Sequence, residues 1–223
     1  MRKYVAELLG TYALVFAGTG AIVVDAQTHA LGHLGVALTF GLVVLAMIYA
    51  FGGLSGAHLN PAVTLGFVVA RRFPLAQAAP YIIAQLAGAS LASLTLRFLF
   101  PGDITLGTTL PAGSDMQSFI LELLLTYFLM LVILQVSHGS KETGLMAGIA
   151  IGATVGLEAL FAGPICGASM NPARSIAPAL VSGNIQHLWI YIAAPILGAI
   201  TATGTWRWLG RAAGNEAPPA HDD

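Results

Sequence analysis

The amino-acid sequence predicts an all-α integral membrane protein, with six transmembrane helices and two half-length helices in an inverted repeat. Three observations carry this. Of 223 residues, 57% are hydrophobic and 9% charged, against a charged share of about 25% in soluble domains, so 9 Lys+Arg and 10 Asp+Glu cannot coat a water-facing surface. Six apolar stretches approach the roughly 20 helical residues needed to cross a hydrocarbon core of about 30 Å. Two shorter apolar pieces each open with Asn-Pro-Ala.

Val5–Val24 is the first span. Arg2-Lys3 before it superficially suggests a signal peptide, but the run is long, carries Glu7 and lacks a small-x-small cleavage site, so it is read as retained. Leu34–Phe51 is the second span. Asn60–Val69 is a half-length piece that as a helix would extend about 15 Å, half the bilayer. Pro74–Phe100, Met116–Val136 and Leu145–Ala162 are further full spans, Asn171–Leu180 is the second half-length piece, and His187–Leu209 is the last span. The tail 210–223 is polar, contains Pro218-Pro219, and is expected to be disordered and cytoplasmic. A single membrane domain, 1–209, with repeats of about 1–100 and 116–209, is the expected organisation.

Cytoplasmic loops are enriched in Lys and Arg. With the N-terminus inside, Arg2, Lys3, Arg71, Arg72, Lys141, Arg207 and Arg211 are all cytoplasmic and Arg97 alone lies near the outer face. Both termini are then cytoplasmic, and Asp25, Asp103 and Asp115 fall on outer connectors. A plasma (cell inner) membrane location is expected. The net charge of −1 and the absence of a basic block exclude a nucleic-acid partner. Cys166 is the only cysteine, which excludes an intrachain disulfide and a multi-cysteine metal site; no cofactor or metal is expected.

The repeat is visible in the residues. Gly56-Ala57-His58-Leu59-Asn60-Pro61-Ala62 matches Gly167-Ala168-Ser169-Met170-Asn171-Pro172-Ala173, Tyr81–Ala89 matches Tyr191–Ala199, and Glu7–Tyr12 matches Glu122–Tyr127. Each half holds three spans, an odd number, so the halves have opposite orientation. The two half-length pieces then enter from opposite faces and meet near the midplane. Asn is a strong helix N-cap and proline is tolerated at the first helical position. One such cap would be ordinary; two at equivalent positions point to a site. Irregular backbone at membrane depth persists only where it is packed in protein or lines a water-filled cavity, so 52–59 and 163–170 are expected to wall a pore.

With these paired motifs, Gly-Ala-His-Leu-Asn-Pro-Ala-Val-Thr and Gly-Ala-Ser-Met-Asn-Pro-Ala-Arg-Ser, the chain resembles the aquaporin (major intrinsic protein) family from residue 1 to about 209. The resemblance implies a right-handed helix bundle, a homotetramer with one pore per subunit, and passive passage of water and small uncharged solutes through the lipid bilayer. Asn60 and Asn171 are expected to cap their own half-helices while their amide hydrogens point into the lumen. The facing positive dipole ends oppose cations and hydronium. Arg174 is too costly to face lipid. By resemblance it matches the family's filter arginine, and the spacing then places Phe40, Ala159 and Ala168 with it. Water-selective members usually carry histidine where Ala159 stands, so its absence implies a wider pore. Large glycerol channels generally carry Asp where this chain has Ser175. The run Ala162–Ser175 is most similar to the nodulin-26-like branch and its bacterial relatives, which pass small solutes including metalloid hydroxides. Glycerol, urea and boric, arsenous or silicic acid are the candidate permeants, with a strictly water-selective pore as the alternative.

Glu7 and Glu122, repeat mates inside spans, need internal partners; by resemblance they accept backbone hydrogen bonds from the two pore loops. For His58 two readings stay open, lining the inner half of the pore or packing. Glu158 has no repeat counterpart and is assigned either to a loop N–H or to the outer vestibule. His138 and His187 are expected to be solvated. Cys166 is either a thiol-reagent site in the outer loop or a buried inert thiol. Gly148, Gly152 and Gly156 form a packing stripe whose mate is Gly41. A proton-coupled secondary transporter would recruit Glu7, Glu122 or Glu158. An intramembrane enzyme has no supporting constellation.

Overall fold

The computed structural model describes residues 1–137 and 144–212, and it is helical with eight helices among these residues. They are α1 (Arg2–Thr28), α2 (Gly32–Ser55), α3 (Pro61–Val69), α4 (Leu75–Leu99), α5 (Asp115–Ser137), α6 (Ala147–Cys166), α7 (Pro172–Ser182) and α8 (Leu188–Ala212). Six are long and apolar enough to cross a membrane, and α3 and α7 are the two half-length helices. Large apolar side chains such as Leu42, Leu94, Phe128 and Phe161 are exposed on the outside of the bundle, as a lipid solvent requires.

Helix α1 packs on α4 and α2, α5 packs on α8 and α6, and α2 packs on α6 to join the two groups. Each half-helix rests mainly on a full helix from the other half of the chain: α3 on α8, and α7 on α4. Small residues make these approaches possible. A Cβ at Gly88 would lie 2.1 Å from the Leu8 carbonyl oxygen, and one at its repeat mate Gly198 would lie 2.3 Å from the Leu123 carbonyl oxygen. Gly41 and Gly152 meet as the stripe implies, each placing a hypothetical Cβ 2.7 Å from the other's carbonyl oxygen. Backbones this close gain dispersion contacts without needing a hydrophobic driving force, which lipid does not supply.

Several boundaries differ from the sequence expectation, the first helix for instance running from Arg2 to Thr28 rather than from Val5 to Val24. Helices α2 and α6 run on to Ser55 and Cys166 before a left-handed glycine cap, Gly56 at φ 82° and Gly167 at φ 86°, ends them. The irregular segments are therefore 56–60 and 167–171 rather than the longer stretches from Gly52 and Gly163. Proline 164 marks a break in the periodicity, but inside a packed bundle its missing N–H is made good by a neighbour. At the far end α8 continues through Ala212, beyond the expected limit at Leu209. The expectations for His138, Lys141, the Arg211 side chain and 213–223 lie outside the described residues.

Candidate functional site: a pore between two half-helices

Asn60 and Asn171 adopt extended backbone, φ −156° and −148°, and each caps the helix that follows. The Oδ1 of Asn60 accepts from the Ala62 N–H at 2.8 Å, and that of Asn171 accepts from Ala173 N–H at 3.0 Å and Arg174 N–H at 3.4 Å. Pro61 and Pro172 occupy the first helical turn, where an N–H would have no intrahelical acceptor. Ala62 and Ala173 are fully buried.

The amide nitrogens do something the sequence reading did not foresee. Asn60 Nδ2 donates to the Met170 carbonyl at 2.7 Å, and Asn171 Nδ2 donates to the Leu59 carbonyl at 2.9 Å. One hydrogen of each amide is thus spent on the opposite loop, and only the second remains for a molecule in the lumen. Leu59 and Met170 sit at φ 51° and 54°, a left-handed conformation that costs a branched or bulky residue free energy. Both ends of each strained residue are held. The Leu59 N–H donates to Glu7 Oε2 at 2.8 Å and the Met170 N–H to Glu122 Oε2 at 2.8 Å.

Both glutamates are fully buried. Glu7 Oε1 also accepts from Ser55 Oγ and the His58 N–H, and Oε2 from Gln85 Nε2; Glu122 Oε1 accepts from the Ser169 N–H at 2.7 Å. Carboxylates occupied in this way by fixed donors are braces for the loops, an arrangement unsuited to proton relay. The His58 ring stacks on Phe67, touches Phe73 and Tyr81, and bonds Thr64 Oγ1 through Nδ1 at 3.1 Å. It is packed, and it also borders a cavity.

Two cavities lie on either side of a waist. One, on the side of the termini, is lined by Leu14, Val44, His58, Asn60 and Asn171 among others, and the other, on the side of the α1–α2 connector, by Asp25, His33, Thr108, Thr109, Ala159 and Gly163. Phe40, Ala168 and Arg174 line both, so the divide runs through them. All four expected filter residues are brought together, with Ala159 on the connector-side wall.

Arg174 is 2% exposed, and its guanidinium lies over the Phe40 ring at 5.1 Å from Cζ to centroid. The Phe40 ring fills space that Gly18 of α1 leaves open, since a Cβ there would come within 2.2 Å of Cε1. Gly18 is a site residue that sequence reasoning missed, because nothing in its local pattern says which ring it accommodates. A hydroxyl chain joins the 100–114 connector to α7: Thr109 Oγ1 donates to Ser175 Oγ at 2.8 Å, which in turn lies 2.5 Å from Ser169 Oγ.

The remaining sequence candidates fall away from the waist. Glu158 is 4% exposed, lines neither cavity and leaves Oε2 without a hydrogen-bond partner, so neither expected role fits. Cys166 is fully buried with Sγ against the Ala162 carbonyl, which favours the inert reading over a reagent site. His187 is not simply solvated; its Nδ1 lies 2.9 Å from Asp115 Oδ1.

Residues 1–206 match the family model described as major intrinsic protein. Among curated relatives, Aquaporin NIP1-1 of Zea mays is 47% identical over 210 residues, covering 93% of this chain and 74% of that protein. Nodulin-26 of Glycine max is 46% identical over 208 residues, covering 92% and 76%. The X-ray structure of the aquaglyceroporin from Plasmodium falciparum superposes with a TM-score of 0.79 at 29% identity, covering 92% of this chain and 94% of that one. The chain is a multi-pass membrane protein and not an enzyme, a channel for water and small neutral solutes that belongs to the major intrinsic protein, or aquaporin, family.

Proposed function

We propose that Phe40, Ala159, Ala168 and Arg174 form the selectivity filter, and that it is wide enough for glycerol, urea and metalloid hydroxides such as boric, arsenous or silicic acid. The observation that carries this is the residue at 159. In the cavity wall that it shares with Phe40 and Arg174, residue 159 contributes a methyl group, with neither the bulk nor the donor of an imidazole. A trihydroxy solute can turn its hydroxyls to Arg174 and its less polar side to the phenyl ring.

Protons and ions are excluded by the half-helix termini that meet at Asn60 and Asn171 and by the fixed charge of Arg174, which opposes cations. The apolar walls offer no replacement for an ion's hydration shell. Residues 1–209 act as one domain built from the repeats, in a homotetramer in the plasma membrane with both termini cytoplasmic, the orientation favoured by the Lys and Arg distribution.

Ala159→His tests the filter. Stopped-flow light scattering on proteoliposomes is expected to show glycerol and boric acid permeation suppressed far more than water permeation. Equal effects on water and solutes would remove residue 159 from the constriction and leave a strictly water-selective pore as the reading.

A further inference from the structure

Proline 164 lies inside α6. It has no N–H, so the carbonyl of Leu160, four residues earlier, lacks its intrahelical donor. That carbonyl is not left bare, because His33 Nε2, from the start of α2, lies 2.7 Å from it. A carbonyl only accepts, so Nε2 carries the hydrogen. At the position of Pro164 in the first half stands Gly53, whose N–H lets α2 keep its own bonding. The substitution by another helix's side chain thus belongs to the second half alone.

The contact sits where it bears on the pore. Leu160 follows Ala159 directly, and His33 is two turns before Phe40 on α2. His33, Gly163, Pro164, Ala159 and Phe40 all line the connector-side cavity. Helices α2 and α6 are fastened to each other in the middle by the Gly41–Gly152 backbone contact, and at the termini end Tyr49 Oη donates to the carbonyl of Leu145, just before α6, at 3.0 Å. His33 supplies the fastening at the connector end. Gly163 makes space for it, since a Cβ there would come 2.8 Å from His33 Cε1.

We propose that His33 is a specificity-determining positioning residue: by taking the place of the N–H that Pro164 lacks, it fixes the separation of α2 and α6 and hence the width between Phe40 and Ala159. This rests on the filter reading given above. Solutes larger than water use that width and water does not, so the role is read in a ratio rather than in total flux.

The experiment compares glycerol and water permeability in proteoliposomes holding wild type, His33→Ala, His33→Gln, Gly163→Ala, Pro164→Ala and the double variant His33→Ala/Pro164→Ala. Loss of the clamp in His33→Ala, and its displacement in Gly163→Ala, is expected to raise the glycerol-to-water ratio by about two- to tenfold, the factor spanned by the net free energy of one hydrogen bond. His33→Gln keeps a donor and the wild-type ratio. In the Pro164→Ala background the helix bonds its own carbonyl, so removing His33 then changes the ratio no further. If His33→Ala alone fails to assemble, an assembled double variant with the ratio of Pro164→Ala supports the proposal equally. An unchanged ratio in His33→Ala, or the same change with and without Pro164, overturns it. A wild type that excludes glycerol instead overturns the filter reading on which it rests, and is seen before any variant is measured.

Discussion

Arg174 donates from Nη1 to the backbone carbonyl of Gly107 at 2.8 Å. The Arg174 side chain is therefore aimed by the 100–114 connector as well as by α7. Gly107 holds φ 68°, and a Cβ on it would lie 2.8 Å from Thr19 Cβ in α1, so both the conformation and the space call for glycine. Gly107→Ala is expected to strain this position by about 1–3 kcal/mol and to let Arg174 swing from its partner. Urea or cation leakage through liposomes is then expected to rise, by less than in Arg174→Val, where the charge itself is gone. Wild-type selectivity in both variants would place Arg174 outside the constriction.

The same connector is tied by Asp103, whose Oδ1 accepts from the Thr105 N–H and Oγ1 and from the Leu106 N–H at 2.7 Å. Arg97 donates to the Asp103 carbonyl and to that of Val181, which joins the turn to α7. Partial burial alone would raise the Asp103 carboxyl. The backbone N–H groups of Leu106 and Thr105, the Thr105 hydroxyl and the charge of Arg97 together hold it below the usual aspartate value. A depressed folded pKa means that this stabilisation is fully present above the ordinary aspartate value of about 3.9 and is lost as pH falls through the lower folded value. Permeability ratios are expected to hold steady from neutral pH down to about pH 4 and to shift below it when the connector side is acidified. Asp103→Asn, which keeps one acceptor oxygen, is expected to remove that acid response; persistence of the response in this variant would assign it elsewhere.

Both carboxylate oxygens of Glu122 take backbone N–H donors, from Ser169 and Met170. An amide in its place must turn its NH2 against one of them. Glu122→Gln is expected to forfeit at least one charge-assisted bond, about 1.5–3 kcal/mol, and to lower the unfolding temperature in detergent without changing the pH dependence of transport. A loss of pH-gradient-dependent uptake at unchanged stability would instead reveal a coupled transporter.

How far the residues announced this structure varies with the physics involved. Spans and half-helices were legible because lipid imposes length and apolarity on every crossing segment, and the Asn60 and Asn171 caps because Asn-Pro has one natural place in a helix. That Glu7 and Glu122 need internal partners was legible from their place inside spans, whereas the bonds to the two loops came only from the family resemblance. The crosswise bonds of Asn60 and Asn171 were not, since they depend on left-handed backbone at Leu59 and Met170, residues with no preference for it. Nor were Gly18, Gly107 or the clamp of His33 on Leu160, whose meaning lies in contacts between distant segments. The 100–114 connector, with Leu106 fully buried at φ 52°, shows no periodicity that would mark it as part of the pore.

The most direct measurement is stopped-flow permeation through wild-type proteoliposomes, comparing water, glycerol, urea and boric acid, with proton flux recorded on the same vesicles. Fast water flow, ready entry of glycerol and boric acid, and no proton current above that of empty liposomes are expected from a wide filter beside facing half-helix termini. Rapid water flow with all three solutes excluded, or a proton current comparable to the water flux, would contradict it.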